Sequence, residues 1–188
     1  CRCRSRQGAW RVTAIMGAFR LPAELPTAHS MARRSPIHLL LSTRVAVLGA
    51  AVPAALGGEQ EAVHKARVSS RRLREVVPIL EDAPSAARAG VAVRRVTRAL
   101  GPVREFDVTR GLYATATAQS PVHPLAHAAV GRALSRGRSA AMRAARRTLS
   151  TAQRTTLLAA LEALTAEADD LPVAAIAAAV QARLDQRA

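Results

Sequence analysis

Aromatic residues are the scarcest class in this 188-residue sequence, which has one Trp, one Tyr and two Phe. Hydrophobic residues nevertheless make up 49% of the chain, enough to build a core. Such a core must consist mainly of Ala, Leu and Val, which favours closely packed helices over a β-sandwich. No segment of useful length alternates between apolar and polar residues with a period of two. The sequence therefore predicts an all-α fold, an antiparallel helical bundle.

Acidic residues and lysine are also few, and the balance of charge is strongly positive. The chain has 28 cationic and 13 acidic residues, which gives a formal charge of +15, and Lys65 is the one lysine. Residues 32–148 carry twenty cationic and seven acidic residues, a net charge of +13, whereas residues 149–188 carry three and five, a net charge of −2. A polyanionic partner is the default inference for such a chain, and its site is expected in the middle segment.

Motifs for catalysis and for metal binding are missing. Cys1 and Cys3 are too close to close a normal disulfide, and no residues follow them at zinc-ligand spacing. The chain has no Gly-x-Ser-x-Gly elbow and no phosphate-binding loop after Gly57-Gly58. Pro124 spoils the i,i+4 pair of His123 and His127. We therefore predict no catalytic residue, no metal and no cofactor, and expect that the chain is not an enzyme.

Residues 1–30 lack sustained periodicity, so we expect an irregular tail, or translated upstream sequence with Met31 as the natural start. Residues 31–58 resemble a signal peptide in their basic start and apolar run. Arg44 is costly in the middle of such a run, which favours a soluble helix and argues against a membrane partner. The expected buried stripe of this helix is Leu40, Val47, Leu48 and Ala51.

The remaining sequence predicts a series of helices that together form one bundle over residues 31–172. A basic helix spans about 59–80, with Pro78 kinking or finishing it. A stop and a new start are expected at Gly101-Pro102, between helices at about 86–100 and 103–118. Further helices are predicted at about 125–149 and 150–168. Residues 173–188 are a terminal helix or the start of a truncated second half.

The stretch Val63–Leu80, VHKARVSSRRLREVVPIL, has the most distinctive pattern in the chain. On a helix, four of its residues fall within roughly one quadrant, with Lys65 and Arg72 on the flank. These four are His64, Arg67, Arg71 and Arg74. Ala66, Leu73, Val77 and Leu80 gather on the opposite side, as core residues would. Glu75, one turn after Arg71, can pair with it.

Two other predicted helices carry similar cationic faces, namely Arg94, Arg95 and Arg98, and then Arg132, Arg136, Arg143, Arg146 and Arg147. Solvated helix faces usually mix charges of both signs, whereas clusters of one sign repel each other unless a ligand neutralises them. Functional anion binding is therefore favoured over an ordinary surface. Because no aromatic residues are interleaved with the arginines, stacking of nucleobases is not expected. A polyanion that has no bases suits the sequence better.

The segments VHKARVSSRRLRE and VRRVTRALGPVREFDV together resemble the CHAD (conserved histidine α-helical domain) family. One signature of the family is similar to the set of His64, Arg67 and the group Arg71-Arg72-Leu73-Arg74. The other signature is similar to Leu100-Gly101, Arg104 and Asp107-Val108, with Glu105 where the family has Asp. The resemblance covers roughly residues 31–172.

The resemblance implies binding of inorganic polyphosphate in a basic groove or pore between two related helical bundles, in the cytoplasm and at polyphosphate granules. It implies that Asp107 is a structural partner and that the arginines of 132–147 face the same cavity. The other half of the fold is not seen after residue 172, so the chain is expected to be half of the fold or to dimerise and complete the pore. The predicted polyphosphate-binding residues are His64, Lys65, Arg67, Arg71, Arg72, Arg74, Arg94, Arg95, Arg98, Arg104, Arg132, Arg136, Arg143 and Arg147.

Two alternatives remain open at this point. The first is a general polyanion-binding module for nucleic acid or acidic protein. The other is a phosphate-ester hydrolase, since the family often accompanies triphosphate-processing domains; the lack of a carboxylate-rich site in the sequence disfavours it.

Overall fold

The computed structural model describes residues 35–120 and 122–186, and this part of the chain contains six α-helices, one 3-10 turn and no strand. The helices are α1 (Pro36–Gly57), α2 (Gln60–Val76), α3 (Ala86–Gln119), α4 (Pro124–Thr148), α5 (Thr151–Glu167) and α6 (Val173–Asp185), with the 3-10 turn at Val77–Leu80 between α2 and α3. The predicted all-α bundle is confirmed. The expected irregular tail, both cysteines and Met31 lie outside the described residues.

Helices α1, α2, α3 and α5 enclose the core, and the last turns of α4 join it. The predicted inner face of the basic helix is confirmed, since Ala66, Leu73, Val77 and Leu80 are all buried. The stripe predicted for α1 is partly wrong, because Leu40 and Val47 are exposed while Leu41 and Val45 are buried. Helix α1 is apolar around much of its circumference, so its sequence does not single out one face.

Helix α1 is also the one helix in the described residues that is long and apolar enough to cross a membrane, judged by length and composition alone. Core helices of soluble proteins and signal sequences pass the same test. Seven of its residues, among them Leu41, Leu48 and Val52, are buried against the rest of the bundle.

The turn between α1 and α2 is a glycine-dependent one. Gly58 has a φ of +108°, in the left-handed region, and its N–H donates to carbonyl groups in the last turn of α1. A glycine takes this conformation without the steric penalty that a Cβ atom brings. The turn is short, so α2 runs back along α1.

Helix α2 ends at Val76, four residues before the predicted end, and continues as the 3-10 turn that contains Pro78. The expectation that Pro78 finishes the helix is confirmed, because proline lacks the N–H that another α-helical turn would need.

Helix α3 runs without interruption through Gly101 and Pro102, so the predicted stop and restart there is wrong. Pro102 is exposed, which lets water reach the carbonyl that the proline ring leaves without a donor. Gly101 is buried, and a Cβ atom there would lie 3.5 Å from Nη1 of Arg67. Packing against α2, α4 and α5 supports α3 on both sides of the proline.

The far ends of α3 and α4 form an antiparallel arm, defined as residues 108–120 and 122–140. None of these described residues is buried. Tyr113 of α3 stacks on His127 of α4, with ring centroids 5.4 Å apart. Leu112 and Leu125 are 67% and 75% exposed, so the arm stands outside the core.

Gly137 of α4 is the position where the arm needs the smallest side chain. A Cβ atom there would overlap the ring of Phe106 on α3. We expect Gly137→Ala to lower the free energy of unfolding by about 1–3 kcal/mol, as overpacking does. Gly131→Ala, in the same helix with no atom within 4 Å of the new methyl group, should instead stabilise by up to about 1 kcal/mol. Urea unfolding of both variants measures this, and equal stabilities would show that the ring moves aside freely.

The start of α3 is tied to the end of α5 through Ser85 and Glu167. The Ser85 hydroxyl and backbone N–H donate to Oε2 of Glu167 over 2.6 and 2.9 Å. These hydrogen bonds, first the hydroxyl and then the N–H, hold the pKa of Glu167 below its ordinary value. Burial opposes them, and the charge of Arg88 adds to them.

Because the pKa of Glu167 is lower in the folded state than in the unfolded chain, its carboxylate stabilises the fold above the ordinary glutamate pKa. That contribution is lost as the pH falls through the lowered pKa of the folded protein. We expect Ser85→Ala to be less stable than the wild type at neutral pH, with the difference shrinking in acid. Thermal unfolding of the two proteins across the acidic range measures it, and a difference that does not change with pH would contradict the assignment.

Candidate polyanion-binding groove

A basic groove runs between α2 and α3 at the surface of the bundle, with a volume of about 530 Å³. The two helices are antiparallel here, since Arg67 reaches Thr97 while Val77 lies beside Gly90. The groove is lined by His64, Arg67, Val68, Arg71, Arg74 and Glu75 of α2 and by Thr97 and Arg104 of α3. We refer to it as the first groove.

The predicted cationic quadrant of α2 forms one wall of the first groove. His64, Arg67, Arg71 and Arg74 all line it, spaced three or four residues apart along the helix. Their spacing places them on the face opposite Leu73, which is fully buried. The hydrophobic effect thus fixes the rotation of α2, and the basic face follows from it.

Arg67 is the anchored member of the set. Its Nη1 donates to the backbone carbonyl of Thr97 across a distance of 2.7 Å. The Thr97 hydroxyl lies 3.1 Å from both Ser70 Oγ and the Val93 carbonyl oxygen, either of which can accept its proton, so the contact between α2 and α3 is polar as well as apolar. Arg67 therefore has a fixed position at the floor of the groove and contributes to helix packing.

Arg71 and Arg74 differ from Arg67 in their exposure. Both are exposed, whereas Arg67, His64 and Arg104 are half-buried. The first groove thus combines partly buried donors at its floor with two exposed guanidinium groups at its rim. Four guanidinium groups and one carboxylate, that of Glu75, give it a net charge of +3 before any proton on His64.

The structure does not bring the other predicted residues into the first groove. Lys65 is exposed and lies 3.8 Å from the carboxylate of Glu61, one turn away, and Arg72 is exposed on the flank of α2. On α4, four predicted arginines line neither the first groove nor the two other basic grooves described below: Arg132, Arg136, Arg143 and Arg147. These arginines therefore do not line the first groove, and the expectation that the 132–147 segment faces the ligand cavity stays a prediction.

The arginines of α3 line two neighbouring grooves. Arg94 forms a second groove of about 320 Å³ with Arg74 and Arg183. Arg94 also lines a third groove, of about 420 Å³, with Arg95, Arg98, Val91 and Thr148. The first and second grooves share Arg74 and Glu75, and the second and third share Arg94.

Asp107 has the structural role that the family resemblance implies. Its side chain is 1% exposed, and Oδ1 accepts a hydrogen bond from Nε of Arg138 at 2.6 Å. Nη2 of Arg138 also donates to the Gly58 carbonyl at 3.0 Å, which ties α4 to the turn between α1 and α2. Arg138 sits four residues from Leu134 in an arginine-rich helix, and no local pattern distinguishes it from the arginines around it.

Arg183 of the second groove was not predicted, and Arg146, which was predicted as part of a cationic face, makes a structural contact instead. Arg183 is a single cation in an alanine-rich terminal helix, and nothing in the sequence indicates that it reaches α2 and α3. Arg146 donates from Nε to the Leu56 carbonyl at 2.8 Å, where it satisfies an acceptor at the end of α1. A signal for the partner of Asp107 did exist in the sequence, because Asp107 and Arg138 lie almost equally far along the chain from the segment between the helices predicted at about 103–118 and 125–149.

No group of three or more His, Cys, Asp or Glu residues is close enough to hold a metal ion within residues 35–120 and 122–186. The donor set of the first groove is instead suited to oxyanions. Guanidinium groups offer paired N–H donors that match two oxygens of one phosphate.

Comparison with known proteins identifies a family and does not identify a ligand. The family model described as CHAD domain matches residues 40–188, and this segment contains both walls of the first groove. Neither the curated proteins nor the solved structures contain a match. With the family match spanning most of the chain and the two signature segments meeting at one basic groove, the protein belongs to the CHAD domain family.

Proposed function

We propose that this protein binds inorganic polyphosphate in the first groove. The observation that carries the proposal is the composition of the lining, which has four guanidinium groups and an imidazole, a single carboxylate and no phenyl, phenol or indole ring. Such a lining suits a ligand that presents a repeating negative charge and no base. The association of the CHAD domain with polyphosphate-related proteins supports the same ligand.

Three arginines of the first groove have distinct roles in this proposal. Arg67, held on the Thr97 carbonyl, presents its remaining N–H groups at a fixed place in the groove. The exposed Arg71 and Arg74 bind successive phosphates with paired, charge-assisted hydrogen bonds. Counterions released from the polyphosphate supply much of the driving force, as they do for nucleic acids, so affinity should fall steeply with salt.

Nucleic acid is the alternative ligand, and the described aromatic residues argue against it. Phe106 packs against Gly137, and Tyr113 stacks on His127, so neither ring is placed in the groove to stack on a base. Competition between long-chain polyphosphate and DNA at equal phosphate concentration tests the two ligands. We expect polyphosphate to displace DNA, and displacement of polyphosphate by DNA would overturn the proposal.

We further propose that the protein is a binding module and not an enzyme. The first groove contains one carboxylate, Glu75, and so lacks the pair of acidic groups that acid–base hydrolysis commonly uses. The full chain should release no orthophosphate from polyphosphate in the presence of magnesium, and steady release would contradict this. Recruitment to cytoplasmic polyphosphate granules and dimerisation to complete a pore stay predictions, to be tested by imaging and by light scattering.

Glu75 lines the first groove beside Arg71 and Arg74, and its negative charge opposes a polyanion there. We expect Glu75→Gln to bind polyphosphate about threefold to tenfold more tightly at low salt, because one like charge near a bound phosphate is removed. Titration at fixed ionic strength measures the change. Glu105→Gln, at an exposed position outside the groove, is the control and should bind as the wild type does. Weaker binding by Glu75→Gln would show instead that this carboxylate positions the arginines.

A further inference from the structure

The second groove continues the first one around the end of α2. Its lining comprises Arg74, Glu75, Val77, Pro78, Gly90, Arg94 and Arg183. Arg74 and Glu75 belong to both linings, so the two grooves adjoin at these residues. A bound chain that passes Arg74 in the first groove would enter the second.

The length of the combined path follows from α3, which runs beside both grooves. Arg104 lies at one end of the first groove, and Gly90 lines the second. The fourteen residues between them rise about 21 Å along the helix axis. Tripolyphosphate, with only three phosphorus atoms, is too short to reach both ends, whereas a long polyphosphate chain can.

The second groove depends on α6 for one of its cations. Helix α6 has no buried residue, and its contacts with the bundle are made mainly with the 3-10 turn at Val77–Leu80. Arg183, in the last turn of α6, is half-buried and faces Arg74 and Arg94 across the groove. Three guanidinium groups from three different helices thus meet beside a single carboxylate.

We propose that the first and second grooves form one track for a single linear polyphosphate chain, and that Arg183 is a ligand-binding residue at its far end. This inference rests on the proposed function. The three converging cations share one carboxylate, that of Glu75, so a net repulsion remains until a further anion lies between them. A chain bound along the whole track therefore holds α6 against α2 and α3, while a short phosphate oligomer in the first groove does not.

Titrations of Arg183→Gln and Arg94→Gln with two probes, long-chain polyphosphate and tripolyphosphate, test the track. Both variants should lose about tenfold in affinity for the long chain at low salt, as expected for one charge-assisted contact. Their affinity for tripolyphosphate should stay within about twofold of the wild type, because the first groove is intact. The control is Arg110→Gln, which removes the same charge from an exposed site outside all three grooves and should bind both probes as the wild type does.

Hydrogen exchange of the full chain provides an independent readout. Amides of α6 should exchange more slowly with long-chain polyphosphate bound and at an unchanged rate with tripolyphosphate bound. Wild-type binding by Arg183→Gln, or an equal loss of both probes, would overturn the track while leaving the first groove as a site. If the wild type binds neither probe, the proposed function fails and the track fails with it.

Discussion

Arg71→Ala combined with Arg74→Ala is expected to weaken polyphosphate binding by about 100-fold at low salt. Each exposed guanidinium contributes a hydrogen bond to a charged group, and two such bonds at the lower end of their usual range amount to about 3 kcal/mol. The salt dependence should change as well, since two fewer phosphate contacts lower the slope of log Kd against log salt by about 2. Titrations at several salt concentrations measure both effects.

The double variant should keep its helicity, because Arg71 and Arg74 are exposed and point away from the buried face of α2. Arg110→Ala combined with Arg154→Ala removes the same net charge from outside the three grooves and serves as the matched control. If both double variants weaken binding equally, the protein attracts polyanions through its overall charge and the first groove is not a site. Arg67 is unsuited to this test, because its bond to the Thr97 carbonyl makes it part of the helix packing.

Arg138→Met is expected to be the most destabilising of the substitutions considered for this chain. It leaves the Asp107 carboxylate, whose side chain is 1% exposed, buried without its cation. Oδ2 of Asp107 already lacks a hydrogen-bond partner among the described residues, so no second donor takes over. Breaking a buried pair in this way typically lowers the free energy of unfolding by about 3–5 kcal/mol.

Urea unfolding measures the loss of stability. The control is Arg136→Met, which lies in the same helix outside the ion pair and should change the free energy of unfolding by less than about 0.5 kcal/mol. Replacing both partners, as Asp107→Leu with Arg138→Met, should restore much of the stability because no buried charge then remains. Equal stabilities of Arg138→Met and Arg136→Met would show that the ion pair contributes nothing to the fold.

Much of the site could be predicted from the sequence because α2 has two sharply different faces. The spacing of Leu73, Val77 and Leu80 determines which side is buried, and the arginine face follows from the helical period. Helix α3 has the same design, since Val93, Val96 and Leu100 share one face of the helix and are fully buried. Periodicity identifies faces within one helix, and it performs well wherever those faces differ.

What could not be predicted depends on contacts between helices. Gly101-Pro102 has the local signature of a helix end, yet α3 is continuous there. The free energy of packing α3 against its neighbours outweighs the local cost of the proline, and the local sequence does not reveal that packing. Arg138 and Arg132 are alike in sequence, and only the position of Asp107 on the neighbouring helix separates a buried ion pair from a surface charge. Arg183 lines the second groove because α6 packs on the 3-10 turn at Val77–Leu80, a contact between elements that helical periodicity does not reveal.

The arm formed by the far ends of α3 and α4 divides the molecule into parts of unequal local stability. Counted from the tip, the first buried residues are Asp107 in α3 and Met142 in α4, so the arm can open without disrupting the core. The residues that line the three basic grooves all lie outside the arm. The tip, where α3 ends at Gln119 and α4 begins at Pro124, is accordingly a suitable place to insert a fluorescent reporter without disturbing the grooves.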